Sequence, residues 1–301
     1  MKKRIITGAV LVAIFVPAVY FGGIFFLTLG ILLSMIASFE MMNMLYTKGP
    51  AIKKIRFLVP VLSGIIVFLS YNASIHFPEK MIYHFWVVSF FVASIILILT
   101  ILIFTKGSTA GDMMGSVMTL VYCGLIMSYV ISIMYMKPIS NVDYINNNIL
   151  GGRSFAYLIA IVATTDTAAY FFGSKFGKRR LAPEISPKKS VEGAIAGLIC
   201  GSIIGVLCAF LFQIITFAND VSLFKKLNVI AVVFVISLLL SASVQIGDLV
   251  ASKLKRSYEI KDFGNIFPGH GGVLDRFDSL IFAGAVYYVF VQFVQLVILG
   301  A

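Results

Sequence analysis

Apolar runs close to the roughly 20 residues that cross a bilayer recur along this chain, at about 5–21, 23–45, 57–72, 84–105, 114–136, 155–173, 191–217, 228–251 and 279–300. The expectation is an all-α, polytopic integral membrane protein with about nine transmembrane helices. Composition agrees: the 301 residues are 60% hydrophobic and 12% charged, against roughly one-quarter charged in soluble domains. The boundary between the first two spans rests on "YFGG" at 20–23. "MKKR" followed by an apolar run also has the start of a signal peptide, but no small-x-small cleavage site follows, so it reads as a retained first span. Cys123, Cys200 and Cys208 sit inside apolar runs without CxxC spacing, which supports neither a zinc site nor a disulfide framework.

Lys and Arg set the orientation. With the N-terminus in the cytoplasm, 19 of the 24 basic residues fall on the cytoplasmic side, leaving Lys80, Lys137, Arg153, Lys225 and Lys226 outside. Topology alone accounts for the early loops. It does not account for eleven of the 19 crowding into the segments 174–190 and 252–278.

Ionisable residues inside spans are costly and point to function. Here they are Glu40, Asp166, Glu192 and Asp248, with Asp275 and Asp278 at the mouth of the last helix. In the orientation above all lie toward the cytoplasmic end, Asp248 roughly 5 Å and Asp166 roughly 10 Å from it at the helical rise. Carboxylates at one depth predict a polar chamber open to the cytosol. Ser241, Gln245, Asp248 and Ser252 recur at helical spacing and form one polar stripe, as do Asp166, Tyr170 and Ser174. Gly193, Gly197, Gly201 and Gly205 repeat every fourth residue and predict a groove for a close helix neighbour.

The segment "SKFGKRRLAPEISPKKS" offers Lys175, Lys178, Arg179, Arg180, Lys188 and Lys189, with two prolines as stiffeners. Such a surface suits phosphate, whether on a ligand or on anionic headgroups. "FPGHGG" carries Gly269, Gly271 and Gly272, which can turn N–H groups toward an anion, and it leads into a helix N-terminus that also favours anions. Asp275 and Asp278 share a face just inside. With Arg276, His270, Lys261 and Asp248 they suit a hard divalent cation. Acids and bases together fit phosphoryl-type transfer, where metal and cations neutralise a polyphosphate. No P-loop pattern is present. A transporter would spread polar groups through both halves of the bilayer, whereas these cluster at one end.

Residues 252–279, "SKLKRSYEIKDFGNIFPGHGGVLDRFDS", resemble the hallmark of the phosphatidate cytidylyltransferases, also called CDP-diacylglycerol synthases, at Ser252, Lys255, Arg256, Lys261, Asp262, Pro268, His270, Gly271, Gly272, Asp275, Arg276 and Asp278. "GDLVAS", "ISPKKSVEG" and "TDTAAYFFGSKFGK" extend the likeness, with Val191 where an aromatic residue is expected and Ser190 where Thr is usual. The resemblance implies a membrane enzyme that joins CTP to phosphatidic acid and releases pyrophosphate. It is less close to CDP-archaeol synthases and polyprenol kinases. It implies metal ligation (Mg²⁺, alone or with a second ion) by Asp248, Asp275 and Asp278, with Asp166 and Glu192 as further candidates. Lys188, Lys189, Lys255, Arg256, Lys261, His270, Gly271, Gly272 and Arg276 would hold phosphates. No nucleic-acid partner is expected. Residues 1–110 are expected to form a packing or dimerisation module, which would give a homodimer, and 111–301 the catalytic domain in the cytoplasmic membrane.

Overall fold

The computed structural model describes residues 2–76, 82–136, 151–217 and 221–299. Lys80 and Lys137, expected on the outer side, lie outside the described residues. Among these residues eight helical stretches are long and apolar enough to cross a membrane: Gly23–Tyr46, Leu58–His76, Ile82–Ile103, Ala110–Ile133, Gly151–Phe176, Val191–Leu211, Leu223–Ser257 and Leu274–Val297. The first predicted span forms a helix as well, α1 (Lys2–Phe21). It ends where Gly22 and Gly23 take φ of +57° and +51°, a conformation that costs glycine little.

Two segments differ from the sequence expectation. The basic stretch 174–190 is not all loop: helix α7 (Gly151–Phe176) runs into it, and strands β1 (Arg180–Ala182) and β2 (Ser186–Ser190) then pair antiparallel. The stretch 252–278 begins as helix, because α9 (Leu223–Ser257) continues about 1.5 turns past the predicted membrane edge. Nothing in "SKLKRS" breaks a helix, and Lys255 and Arg256 suit its C-terminal carbonyls. The helix stops at Glu259 (φ +57°), where Ile260 N–H reaches Lys255 O (3.0 Å) and Glu259 N–H reaches Arg256 O (3.1 Å), a Schellman ending.

The chain divides into two compact units. The first comprises residues 1–135 and 254–277. Its centre is α2 (Gly23–Tyr46) packed with α3 (Leu58–His76) and with the span that joins α5 (Ala110–Thr119), a π-helical turn (Leu120–Ile126) and α6 (Met127–Ile133). Inside a bilayer, close packing and polar side chains hold helices together. Ser38 donates to Ser63 (2.7 Å) and Ser70 to Ser128 (2.9 Å), while Ser34 donates to the Cys123 carbonyl (2.7 Å) within the π turn.

The second unit comprises residues 136–253 and 278–301. Here α7 packs on α8 (Val191–Leu211) along the glycine groove. A Cβ on Gly193 would lie 2.6 Å from Ala169 O, and one on Gly197 2.9 Å from Thr165 O. Further along, Gly201 and Gly205 face the hydroxyls of Ser241 and Ser237 on α9. The polar stripe of α9 is used residue by residue: Ser237 with Tyr157 OH (2.8 Å), Ser241 with Thr165 (3.0 Å), and Gln245 donating to Ala194 O (3.0 Å). Each pair satisfies groups that lipid could not.

Candidate active site

In the second unit the hairpin and helices α7, α8 and α9 line a cavity of about 530 Å³. The hairpin supplies Arg180, Lys188 and Lys189, α7 supplies Asp166, Tyr170 and Ser174, and α9 supplies Gln245 and Asp248. Lys189 Nζ stands 2.5 Å from Asp248 Oδ2, and Ser252 Oγ lies 3.4 Å from Asp248 Oδ1. Lys188 and Lys189 are neighbours on β2, and both line the cavity. The start of α8 anchors the hairpin. Ser190 caps the helix by accepting from Gly193 N–H (3.2 Å), and the Glu192 carboxylate accepts from the N–H groups of Lys178 (3.0 Å) and Arg179 (3.2 Å). Glu192 thereby fixes the chain that carries the bases and is not part of the cavity wall.

In the first unit the hallmark segment folds into a braced loop before α10 (Leu274–Leu299). Phe267-Pro268-Gly269-His270 closes with His270 N–H donating to Phe267 O (2.8 Å); Pro in second place and Gly269 at φ +78° are the signature of a type II turn. Phe267 N–H in turn reaches Gly271 O (2.9 Å). A second polar cavity of about 490 Å³ is lined by Lys261, Asp262, His270, Gly271 and Arg276, among others. His270 Nδ1 is buried without a hydrogen-bond partner among the described residues. Beneath the loop, Asp275 Oδ1 pairs with Lys255 Nζ at 2.7 Å, and Asp275 Oδ2 accepts from Phe263 N–H (2.8 Å) and Gly272 N–H (2.9 Å). Beside Lys255, the end of α9 is tied by Lys48, which donates to Ser257 O (2.9 Å). Burial, with the nearby Asp112 carboxylate, pushes the Tyr258 phenol above its ordinary value.

The predicted residues therefore sort into groups. Asp166, Asp248, Lys188 and Lys189 share one cavity, and Lys261, His270, Gly271 and Arg276 share the other. Asp275 and Lys255 form a buried pair, and Gly272 spends its N–H on Asp275. Asp278 is buried, with Oδ1 accepting from Ser279 N–H (2.7 Å), while Arg256 is exposed on the last turn of α9. Glu40 was visible in the sequence as an acid within a span, but its partners were not. It accepts from Val273 N–H (2.9 Å) and Leu274 N–H (3.0 Å). The α10 N-terminus, expected to receive a ligand anion, already holds an anion of the protein.

A metal can be weighed against these groups. No set of three or more His, Cys, Asp or Glu among the described residues is placed to enclose an ion. Mg²⁺ does not require one, since it is commonly held by one or two carboxylates plus substrate phosphates and water. Asp166 and Asp248, on one cavity wall beside three cations, fit that pattern. Asp275 has both oxygens engaged by the loop and Lys255.

Membrane helices that wall a cavity of paired acids and clustered bases define a membrane enzyme of phosphate chemistry. The chain belongs to the cytidylyltransferase family, whose model matches residues 2–294. It is similar to the phosphatidate cytidylyltransferase of Bacillus subtilis, at 33% identity over 287 residues covering 94% of each chain. The phosphatidate cytidylyltransferases of Staphylococcus saprophyticus (33% over 283 residues) and Staphylococcus epidermidis (31% over 284) match over 94% of this chain and 95% of their own.

Proposed function

We propose that this chain transfers CMP from CTP to phosphatidic acid, giving CDP-diacylglycerol and pyrophosphate. The observation that carries the reading is the cavity of the second unit, where Arg180, Lys188 and Lys189 face Asp166 and Asp248 on membrane-spanning helices. Cations there can hold the phosphates of a soluble nucleotide, and a cavity between spans can admit a lipid headgroup without extracting its acyl chains. An oxygen of the phosphatidate phosphate attacks the α-phosphorus of CTP in line. The bond from that phosphorus to the oxygen bridging to the β-phosphate breaks, and its electron pair leaves with pyrophosphate. A phosphate monoester dianion needs no strong base, so the work of the side chains is to position and neutralise. Asp166 and Asp248 would hold Mg²⁺, which when bound supplies charge stabilisation to the departing pyrophosphate. Lys189 is held beside Asp248 and is placed to exchange that partner for a CTP phosphate. In the first unit, Lys261, His270 and Arg276 line a cavity of their own that also suits phosphate, while Asp275 orients Lys255 and the loop.

The 19 to 5 distribution of basic residues supports a cytoplasmic N-terminus and a site facing the cytosol. A cysteine placed at Lys188 should be labelled by a membrane-impermeant reagent only from the cytosolic face, and labelling from the opposite face would reverse the topology. The activity itself is tested with purified protein, CTP, phosphatidate and Mg²⁺, followed by release of pyrophosphate and appearance of the CDP-lipid. No CDP-lipid, or equal turnover with ATP, would sink the assignment.

A further inference from the structure

We infer that Glu40, on a membrane helix far from the hallmark segment in sequence, is a positioning residue for the reaction: it serves as the built-in anion of the α10 N-terminus and holds the Lys261–Arg276 loop in its working shape. The inference rests on the cytidylyltransferase reading and deepens it.

Glu40 is 3% exposed, in the middle of buried neighbours on α2. A carboxylate inside a span is expensive unless something takes its charge. What takes it is the start of α10. Val273 N–H reaches one oxygen and Leu274 N–H the other, at the end of a helix where unpaired donors and the dipole favour an anion. The loop is shaped around that carboxylate. A Cβ on Gly264 or on Gly272 would lie under 3.0 Å from the Glu40 carboxylate, so glycine at both places lets two strands of backbone close over it. Asp275 takes the next donor, Gly272 N–H (2.9 Å). Three consecutive N–H groups, 272 to 274, are thus bound to the protein's own acids.

Two consequences follow. Substrate phosphate at this loop is then left to side chains such as Lys261 and Arg276 in place of the N–H groups of 272 to 274, which are bound to Asp275 and Glu40. And the position of those side chains depends on a carboxylate that touches no substrate.

The test compares wild type with Glu40→Gln in detergent, by amide hydrogen exchange and by steady-state turnover. Glu40→Gln keeps the size but loses the charge and turns amide hydrogens toward one of the donors. Exchange at Val273 and Leu274 should accelerate about tenfold or more, with α3 unchanged, and kcat should fall by about tenfold or more, the scale of losing a charged hydrogen bond. Glu40→Ala should regain part of its turnover when acetate or formate is added, which a general loss of packing would not allow. Wild-type exchange at 273–274 in Glu40→Gln, or faster exchange with wild-type kcat, would overturn the inference. If Glu40→Gln accumulates poorly, Glu40→Asp, charged but one methylene shorter, reads the same contact with the same two outcomes. Absence of any CDP-lipid from the wild-type protein would refute the proposed activity instead, and the exchange result needs no turnover to be read.

Discussion

Replacing Asp275 by Asn tests whether this acid organises the loop or faces a ligand. Its side chain is 2% exposed and that of Lys255 13% exposed, and the two are 2.7 Å apart. The substitution strands the Lys255 ammonium in a buried place, and removing one member of such a pair costs about 3–5 kcal/mol. Against a total stability of roughly 5–15 kcal/mol that is large, and it should lower the melting temperature by roughly 10 °C. The Asn side chain also presents one amide nitrogen where Asp275 now accepts from Lys255, Phe263 N–H and Gly272 N–H. Thermal unfolding of the detergent-solubilised protein reads the loss, with CDP-lipid formation measured on the same preparations. Asp275→Asn should lose both stability and turnover. The double variant Lys255→Met with Asp275→Asn leaves no unpaired buried charge, and should recover most of the stability while staying inactive. If Asp275→Asn melts with the wild type yet is inactive, the pair with Lys255 does not hold the loop, and the carboxylate acts on substrate or metal.

Gly205→Leu should melt earlier, by about 1–3 kcal/mol of overpacking, because its Cβ would meet Ser237 and, at 3.1 Å, Ile161 Cδ1; Gly8→Ala, with nothing within 4 Å of the added atom, is the control that should melt with the wild type. Glu192→Ala releases Lys178 and Arg179 N–H, so KM for CTP should rise severalfold with kcat little changed and exchange at 178–179 should quicken. An unchanged KM would separate the hairpin anchor from nucleotide binding.

The glycine period of α8 was legible because four-residue spacing leaves one bare stripe on any helix, whatever packs there. The stripe Ser241, Gln245, Asp248 was legible for the same reason. The hairpin Arg180–Ser190 was not, since its prolines and short strands carry no period and its shape depends on Glu192 reaching back to Lys178 and Arg179. The continuation of α9 to Ser257 was also missed, because a change from apolar to basic residues marks the end of a membrane span and not the end of a helix.

Local spacing thus determined the polytopic, all-helical character of the chain, the polar faces and the identity of the acids and bases, because hydrophobic length and helical period are properties of neighbouring residues. Only the tertiary structure decided what each charge does. Asp248 meets Lys189, Asp275 meets Lys255, and Glu40 takes the α10 N-terminus across 233 positions of chain. A buried charge must find a partner in space, and a donor at a helix end accepts any carboxylate the fold brings to it.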